Sequence, residues 1–432
     1  MASYTDTLKY LYGLEYRGMK FGLRNIRALL ESAGNPEKRF PAIHVAGTNG
    51  KGSTASFLAS IFMEAGYRTA LYTSPHLIRF TERIRINGRE ISERRLVRYV
   101  DRLRPAIETV HATFFEATTC VAFLYFADEE ADIAVIEAGL GGRLDATNVL
   151  VPLVSVITNI AIDHREYLGN TIGSIAAEKG GIIKPGIPVV TASTDPVALR
   201  TLRRIASSRK SRFYVAREIV TSDCTFSPNG RPTLSLSAKH LKVKAVTPGL
   251  EGDHQITNAA LAVAAVEILF RSKKFTRRFR ELNSRSVRRG LIHVRRNAQL
   301  RGRFQSIGRN PRYLLDVAHN PDGIRTLVEA LNKRDFGPLK TILGVMRDKD
   351  YRGMLLELRE VCPGIIAVAA ATDRALRAEA LYRQAMRAGF RAKRGGTVPA
   401  GIRLAGRKGT ILITGSHFVV GEALQYLRKK KT

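Results

Sequence analysis

The sequence predicts an α/β protein of two units, a larger N-terminal one on a mostly parallel sheet and a smaller Rossmann-like α/β domain after it. Three observations predict this. Short β-branched runs alternate with helical stretches along the whole chain. Several of those runs are near-continuously apolar, as parallel strands covered on both faces are. One of them, AIHVAG, passes straight into a Gly-rich loop and an apolar-periodic helix, the layout of a phosphate-binding P-loop.

The strands expected, in order, are AIHVAG, TALYTS, IAVIEAG, VSVITN, PVVTAS, YLLDVA, TILGVM, IIAVAA and TILITG. Many end in small or polar residues, consistent with ligands sitting beyond the carboxyl ends of such strands. The segment RSVRRGLIHVRRNAQLRGR is charged and weakly patterned, and a fresh strand–helix series begins after it with YLLDVAHNPDGIRTLVEAL. The boundary therefore falls near residues 295–300, giving domains 1–297 and 298–432. The tail LRKKKT reads as a frayed basic end.

Composition narrows the class. The 432 residues are 44% apolar, enough for two α/β cores. No run reaches the roughly 18 apolar residues of a membrane-spanning helix. The opening MASYTDTLKYLYG has neither a basic n-region nor an apolar h-region, so a soluble cytoplasmic protein is expected. Three cysteines, Cys120, Cys224 and Cys362, stand far apart with no CxxC pair; buried or half-buried thiols are expected rather than a zinc site or disulfides. Lys and Arg total 70 against 38 acids, a formal net charge of +32, which favours anionic ligands without naming one. The basic residues recur as in RRLVRYVDRLR and TLRRIASSRKSR, the spacing of solvated helix faces. Without aromatic interleaving or a known RNA- or DNA-binding signature, no dedicated nucleic-acid partner and no membrane partner is expected.

The strongest local signal is AIHVAGTNGKGSTASFLASIF. Glycines let backbone N–H groups close on phosphate oxygens, Lys51 supplies a point charge, and the helix opening at Ser53 adds its dipole. The spacing departs from G-x-x-x-x-G-K-[ST], since Gly52 intervenes between Lys51 and the hydroxyl. Strand, lysine, hydroxyl and helix together still make the first domain a P-loop ATPase domain. In IAVIEAGLGGRLDATN, Glu137 closes a strand, where a carboxylate can hold magnesium, while Arg143 and Asp145 form a charge pair. In VSVITNIAIDHREYLGNTIGSIAAEKGGIIKPG, His164 follows a strand and Lys179 lies in a helical stretch ending at Gly180 and Gly181.

HVAGTNGKGST, YTSPHL, ERIRING, FFEATT, EAGLGGRLDATN, IDHREYLGNTIGSIAAEKGGIIKPG, HQITNAALA, LDVAHNP, DKD and TGSHFVVGEAL occur in one order. Together they resemble the folylpolyglutamate synthase/dihydrofolate synthase family, related to the Mur ligases, over essentially the whole chain. The resemblance implies ATP between two domains, its phosphates on Asn49, Gly50, Lys51, Gly52 and Ser53. It implies Mg2+ on Ser74, Glu137 and His164, with Lys179 carbamylated so that it too holds a metal. Asn258, Arg303 and Asp316 match nucleotide-contacting positions, and His319 lies where the second domain closes over the phosphates. Thr113, Phe114, Phe115 and Glu116, with Leu144, Asp145 and Ala146, match the pterin-binding region; for Phe114 and Phe115 core packing remains open. Lys51, Glu137, His164, Lys179 and His319 are the implied catalytic set. Departures are Arg301 where a proline is usual, Val317 for a glycine, and His417 for a small residue or leucine.

The activity implied is ATP-dependent addition of L-glutamate to dihydropteroate, to reduced folate (poly)glutamates, or to both, by a monomer acting on small molecules. Two alternatives remain: a Mur-type ligase acting on another carboxylate, and a basic NTP-dependent RNA-binding protein.

Overall fold

The computed structural model describes residues 2–18, 22–227, 231–309 and 312–429. The first sheet contains β1 (Ala42–Ala46), β2 (Thr69–Tyr72), β3 (Ile84–Ile86), β4 (Arg89–Glu90), β5 (Ile133–Glu137), β6 (Val154–Ile157), β7 (Val189–Thr191) and β8 (Phe213–Val215). Its order is β4-β3-β2-β5-β1-β6-β7-β8. Every pairing from β2 to β8 is parallel, and only β3 and β4 run antiparallel at one edge. All five residues of β1 and of β5 are buried, which is why both read as continuous apolar runs. Alternate residues feed different cores: Ile133 and Val135 of β5 face the core under helix Lys51–Glu64, while Ala134 and Ile136 face the one under helix Phe114–Asp128.

A second sheet holds β12 (Gln305–Ile307), β13 (Arg312–Leu315), β14 (Leu339–Leu343), β15 (Gly364–Ala369), β16 (Arg391–Thr397) and β17 (Thr410–Thr414), ordered β12-β13-β17-β14-β15-β16. It is parallel except for the edge strand β12. All nine expected strands are present. Between the two sheets the structure adds a three-stranded antiparallel sheet, β9 (Thr221–Phe226), β10 (Pro232–Ser237) and β11 (Lys242–Val246), that the sequence reading missed. Its Leu234, Leu236, Val243 and Val246 pack into the core shared with helix His254–Leu269.

The segment read as weakly patterned is instead a regular helix, Ser284–Ala298. Its buried face is Ser286, Val287, Gly290, Leu291, Val294 and Ala298, so half the buried positions are small residues that carry no hydrophobic signal. They allow close approach: a Cβ on Gly290 would stand 2.5 Å from Ile61 Cα of helix Lys51–Glu64. The phosphate helix is thus braced from behind. Glu64 pins the same junction, accepting from His293 Nδ1 at 2.9 Å and from Asn297 Nδ2 at 2.8 Å.

Basic residues lie as expected on solvated faces: in helix Glu93–Thr109, Arg94, Arg98 and Arg102 are exposed while Leu96, Val100 and Leu103 are buried. The three thiols are free, two buried and Cys224 half-buried. Leu427–Lys429 of the basic tail continue helix His417–Lys429, and its last three residues lie outside the described ones. Among the described residues, no helix is long and apolar enough to cross a membrane.

Candidate active site

β1 ends at Ala46, and the chain turns through Gly47 (φ 148°) and Gly50 (φ 83°), a left-handed conformation that favours glycine at Gly50. A Cβ on Gly50 would also stand 2.4 Å from Asn258 Oδ1. The helix starts at Lys51, two residues earlier than expected, because Gly50 serves as its N-cap. No side chain caps it, so its first N–H groups stay available to an anion. The loop is stitched to the chain beyond β6: Thr48 N donates to Asn159 O at 2.9 Å, Asn49 N to Asn159 Oδ1 at 2.7 Å, and Thr158 Oγ1 to Asn49 O at 2.6 Å.

Two lysines converge on this loop. Lys51 Nζ folds back to Gly47 O at 3.2 Å and Thr48 O at 3.1 Å, and Lys179 Nζ donates to the same Gly47 O at 2.8 Å. Lys179 is 4% exposed; burial first, and then the Lys51 ammonium, push its pKa down to about 7. Burial also lowers Lys51, against the pull of Glu137 and Asp163. Glu137, the last residue of β5, is buried and accepts from Ser74 N at 3.1 Å. Burial raises its pKa while Lys51, the Ser74 N–H and Arg303 oppose that shift. A Cβ on Gly52 would lie 3.4 Å from Glu137 Oε2 and 3.7 Å from Arg303 Nη2. Helix start, carboxylate and guanidinium therefore meet at one point.

His164 adopts φ 49° at the start of a short helix. Its Nε2 lies 3.1 Å from Lys349 Nζ, which can only donate, so the ring is neutral with its lone pair on the ammonium. Burial brings its pKa down to about 4, with Asp163 acting the other way. Asp316 is occupied by backbone, accepting from Phe304 N at 2.7 Å and Ala318 N at 2.8 Å. His319 Nδ1 donates to Val317 O at 3.0 Å and turns Nε2 toward Asp163 Oδ2, 3.7 Å away. His417 Nε2 accepts from Arg303 Nη2 at 3.4 Å.

Sequence reading missed the polar seam that joins the second sheet to the phosphate loop. Asn49 Nδ2 donates to Asp322 Oδ2 at 2.9 Å, and Asn320 Nδ2 donates to Asp163 Oδ2 at 2.9 Å. Lys349 Nζ meets Asp163 Oδ1 at 2.8 Å. Burial acts to raise Asp163, but the His319 imidazole and the Lys349 ammonium outweigh it and hold the carboxyl well below the usual carboxylate range. The IDH and DKD segments carried these residues, without any local sign that they pair.

At the other end of the cleft lies the expected pterin region. Phe114 is in the core, stacked on Tyr12 with centroids 5.6 Å apart and an interplanar angle of 15°. Phe115 is half-buried and covers Gly139, whose Cβ would stand 2.5 Å from the ring. Glu116 closes a capping box, accepting from Thr113 N at 2.8 Å. Asp145 accepts from Leu140 N at 2.8 Å and caps the turn at Ala146. The proposed Arg143–Asp145 pair does not form: Arg143 binds Glu178 Oε1 at 2.8 Å, and Asp145 is buried among backbone donors. Leu144 and Ala146 line the cleft alongside them.

A single cleft of about 1920 Å³ takes in the phosphate loop, Glu137, His164, Asn258, Arg303 and the pterin region. Residues 45–266 match the Mur ligase middle domain, and residues 302–417 match the Mur ligase, glutamate ligase domain. The dihydrofolate synthase/folylpolyglutamate synthase of Bacillus subtilis (strain 168) is 36% identical over 391 residues, covering 88% of this chain and 88% of that protein. The chain belongs to the folylpolyglutamate synthase/dihydrofolate synthase family. Solved structures of the family superpose on it throughout. Mycobacterium tuberculosis folylpolyglutamate synthase, complexed with ADP and AMPPCP, gives a TM-score of 0.89 at 30% identity over 98% of both chains. Escherichia coli FolC, in complex with DHPP and ADP, gives 0.87 at 28% identity over 100% of this chain and 99% of that one. The family is one of ATP-dependent ligases, and the cleft just described is lined by Gly50 and Lys51 of the glycine-rich loop and by Phe115 and Asp145.

Proposed function

We propose that this chain uses ATP to join L-glutamate to dihydropteroate and to reduced folate (poly)glutamates through an acyl phosphate. One observation carries the reading: the phosphate loop with Lys51 and the aromatic pocket around Phe115 open into one cleft, with Glu137 between them. A carboxylate is a poor acyl donor, so its oxygen first attacks the γ-phosphorus of ATP and the bond to ADP breaks. Lys51 and the helix N-terminus stabilise charge on the transferring group. The glutamate amine then attacks the acyl carbon, the acyl–oxygen bond breaks, and phosphate leaves. In this scheme residues 1–297 bind nucleotide and acceptor, while residues 298–432 close over the phosphates through His319 and exclude water.

Magnesium is tested by the donor set. Glu137 fits it, because only Oε2 is hydrogen-bonded among the described residues, by the Ser74 backbone N–H. His164 fits only if the Lys349 ammonium withdraws from Nε2. Bound there, the ion would neutralise phosphate charge and template the in-line transfer. Lys179 becomes a carboxylate ligand once carbamylated. A pKa of about 7 leaves much of its amine neutral, the form that adds CO2, near neutral pH. Native mass spectrometry of protein kept in bicarbonate should show one added carboxylate, absent from Lys179→Ala; an unmodified parent would sink the carbamate.

The site acts on small molecules, and the reading keeps the protein a cytoplasmic monomer. RNA binding has only the charge of +32 in its favour. The deciding assay is phosphate release with ATP and magnesium, omitting L-glutamate, dihydropteroate or tetrahydrofolate in turn. Release is expected to need glutamate and an acceptor, and the better acceptor shows which activity dominates. ATP turnover indifferent to both would overturn the ligase reading.

A further inference from the structure

Arg83 is a buried cation that nothing above employs. It is the last residue of the Phe80–Arg83 turn, is 8% exposed, and forms part of the cleft wall. Its Nε donates to His76 Nδ1 at 2.9 Å. His76 therefore carries its proton on Nε2, which faces the Tyr12 hydroxyl at 3.4 Å. The guanidinium lies 5.3 Å from the Phe114 ring centroid and 5.8 Å from that of Phe80. Two aromatic rings thus flank the guanidinium, and an imidazole fixes its Nε. Among the described residues, neither Nη nitrogen has a hydrogen-bond partner. Among the described residues Arg83 faces no carboxylate at ion-pair distance, although Glu15 and Glu137 act on its charge.

A guanidinium held in this way presents a planar fork of donors, the shape that recognises a carboxylate by two parallel bonds. A buried cation with donors left open is costly unless a ligand completes it. Its place decides which ligand. It lies against Phe114 of the aromatic pocket, and its partner His76 comes two residues after Ser74, whose N–H bonds Glu137. An acceptor lying between those points must bring its own carboxylate beside that of Glu137, and a fixed cation offsets the repulsion between them.

Resting on the function proposed above, we propose that Arg83, positioned by His76, is the carboxylate-recognition residue of the acceptor pocket. It selects acceptors that end in a carboxylate and aims that carboxylate at the phosphate loop.

The test compares two ligands on the full chain by calorimetry: pteroate, and the same pterin–aniline skeleton lacking the carboxyl group. The parent should prefer pteroate. Arg83→Gln should lose about 10- to 100-fold in affinity for pteroate, the range of lost charge-assisted hydrogen bonds, while binding the decarboxylated ligand as the parent does. Should that variant not fold, Arg83→Lys carries the same test, with the preference reduced to a lesser degree. His76→Ala, which frees the guanidinium to turn, should also reduce the preference. Equal loss for both ligands means that Arg83 only shapes the pocket and overturns the proposal, as does an unchanged preference. Because the readout is binding, it is separable from the phosphate-release assay, whose failure would instead remove the ligase reading itself.

Discussion

Replacing Lys51 by alanine is expected to lower phosphate release by about 100- to 1000-fold, the range seen when one preorganised charge is removed from a transferring group. The loss should fall on kcat at saturating ATP, because the Lys51 charge gains most as charge builds on the phosphoryl oxygens. Folding should survive. Among the described residues Lys51 binds only the carbonyls of Gly47 and Thr48, and it shares its surroundings with Lys179, Lys349 and Arg303. Removing one of several buried like charges relieves repulsion, so thermal melting should stay close to that of the parent, and Lys179 should hold its proton more firmly. A folded Lys51→Ala protein with activity within about tenfold of the parent would remove Lys51 from the phosphoryl-transfer step.

Lys51 was legible because everything that defines it is local: strand, glycine turn and helix follow one another within a dozen or so residues. Glu137 was legible for the same reason, as the polar residue closing a buried strand. Most of the nine strands read from sequence are buried on both faces and make apolar runs, whereas the equally buried β3 is interrupted by Arg85. Those missed carry a weaker signal. In β9 no residue is buried, and in β10 Leu234 and Leu236 alternate with Thr and Ser, so neither makes an apolar run. Helix Ser284–Ala298 was hidden because its contact face uses Ser286, Gly290 and Ala298. Glu116 and Asp145 show another limit: both line the cleft where the resemblance put them, but the backbone-capping bonds that fix each carboxylate had no sign in the sequence.

The seam shows that limit most clearly, and it yields the other large effect. Asp163 and Lys349 are 186 residues apart in the chain, and both side chains are at least nine-tenths buried where they meet. Removing only the cation leaves a buried carboxylate held by Asn320 Nδ2 and the His164 N–H, with His319 at 3.7 Å. Lys349→Met should therefore cost about 3–5 kcal/mol in urea unfolding, the usual loss when half of a buried pair is removed. Combining it with Asp163→Asn should restore part of that stability, because no unpaired charge is then buried. A Lys349→Met protein as stable as the parent would mean that the pair is solvated in solution. The functional effect follows from geometry. Asp163 orders Asn320, Asn320 and Asp322 hold Asn49, and Asn49 belongs to the phosphate loop, so loosening the pair should raise the KM for ATP. The same ammonium caps the His164 lone pair, so its departure exposes that nitrogen. Lys349 bonds Asp163 of the seam and the His164 imidazole at once, so loss of this one side chain is expected to loosen both.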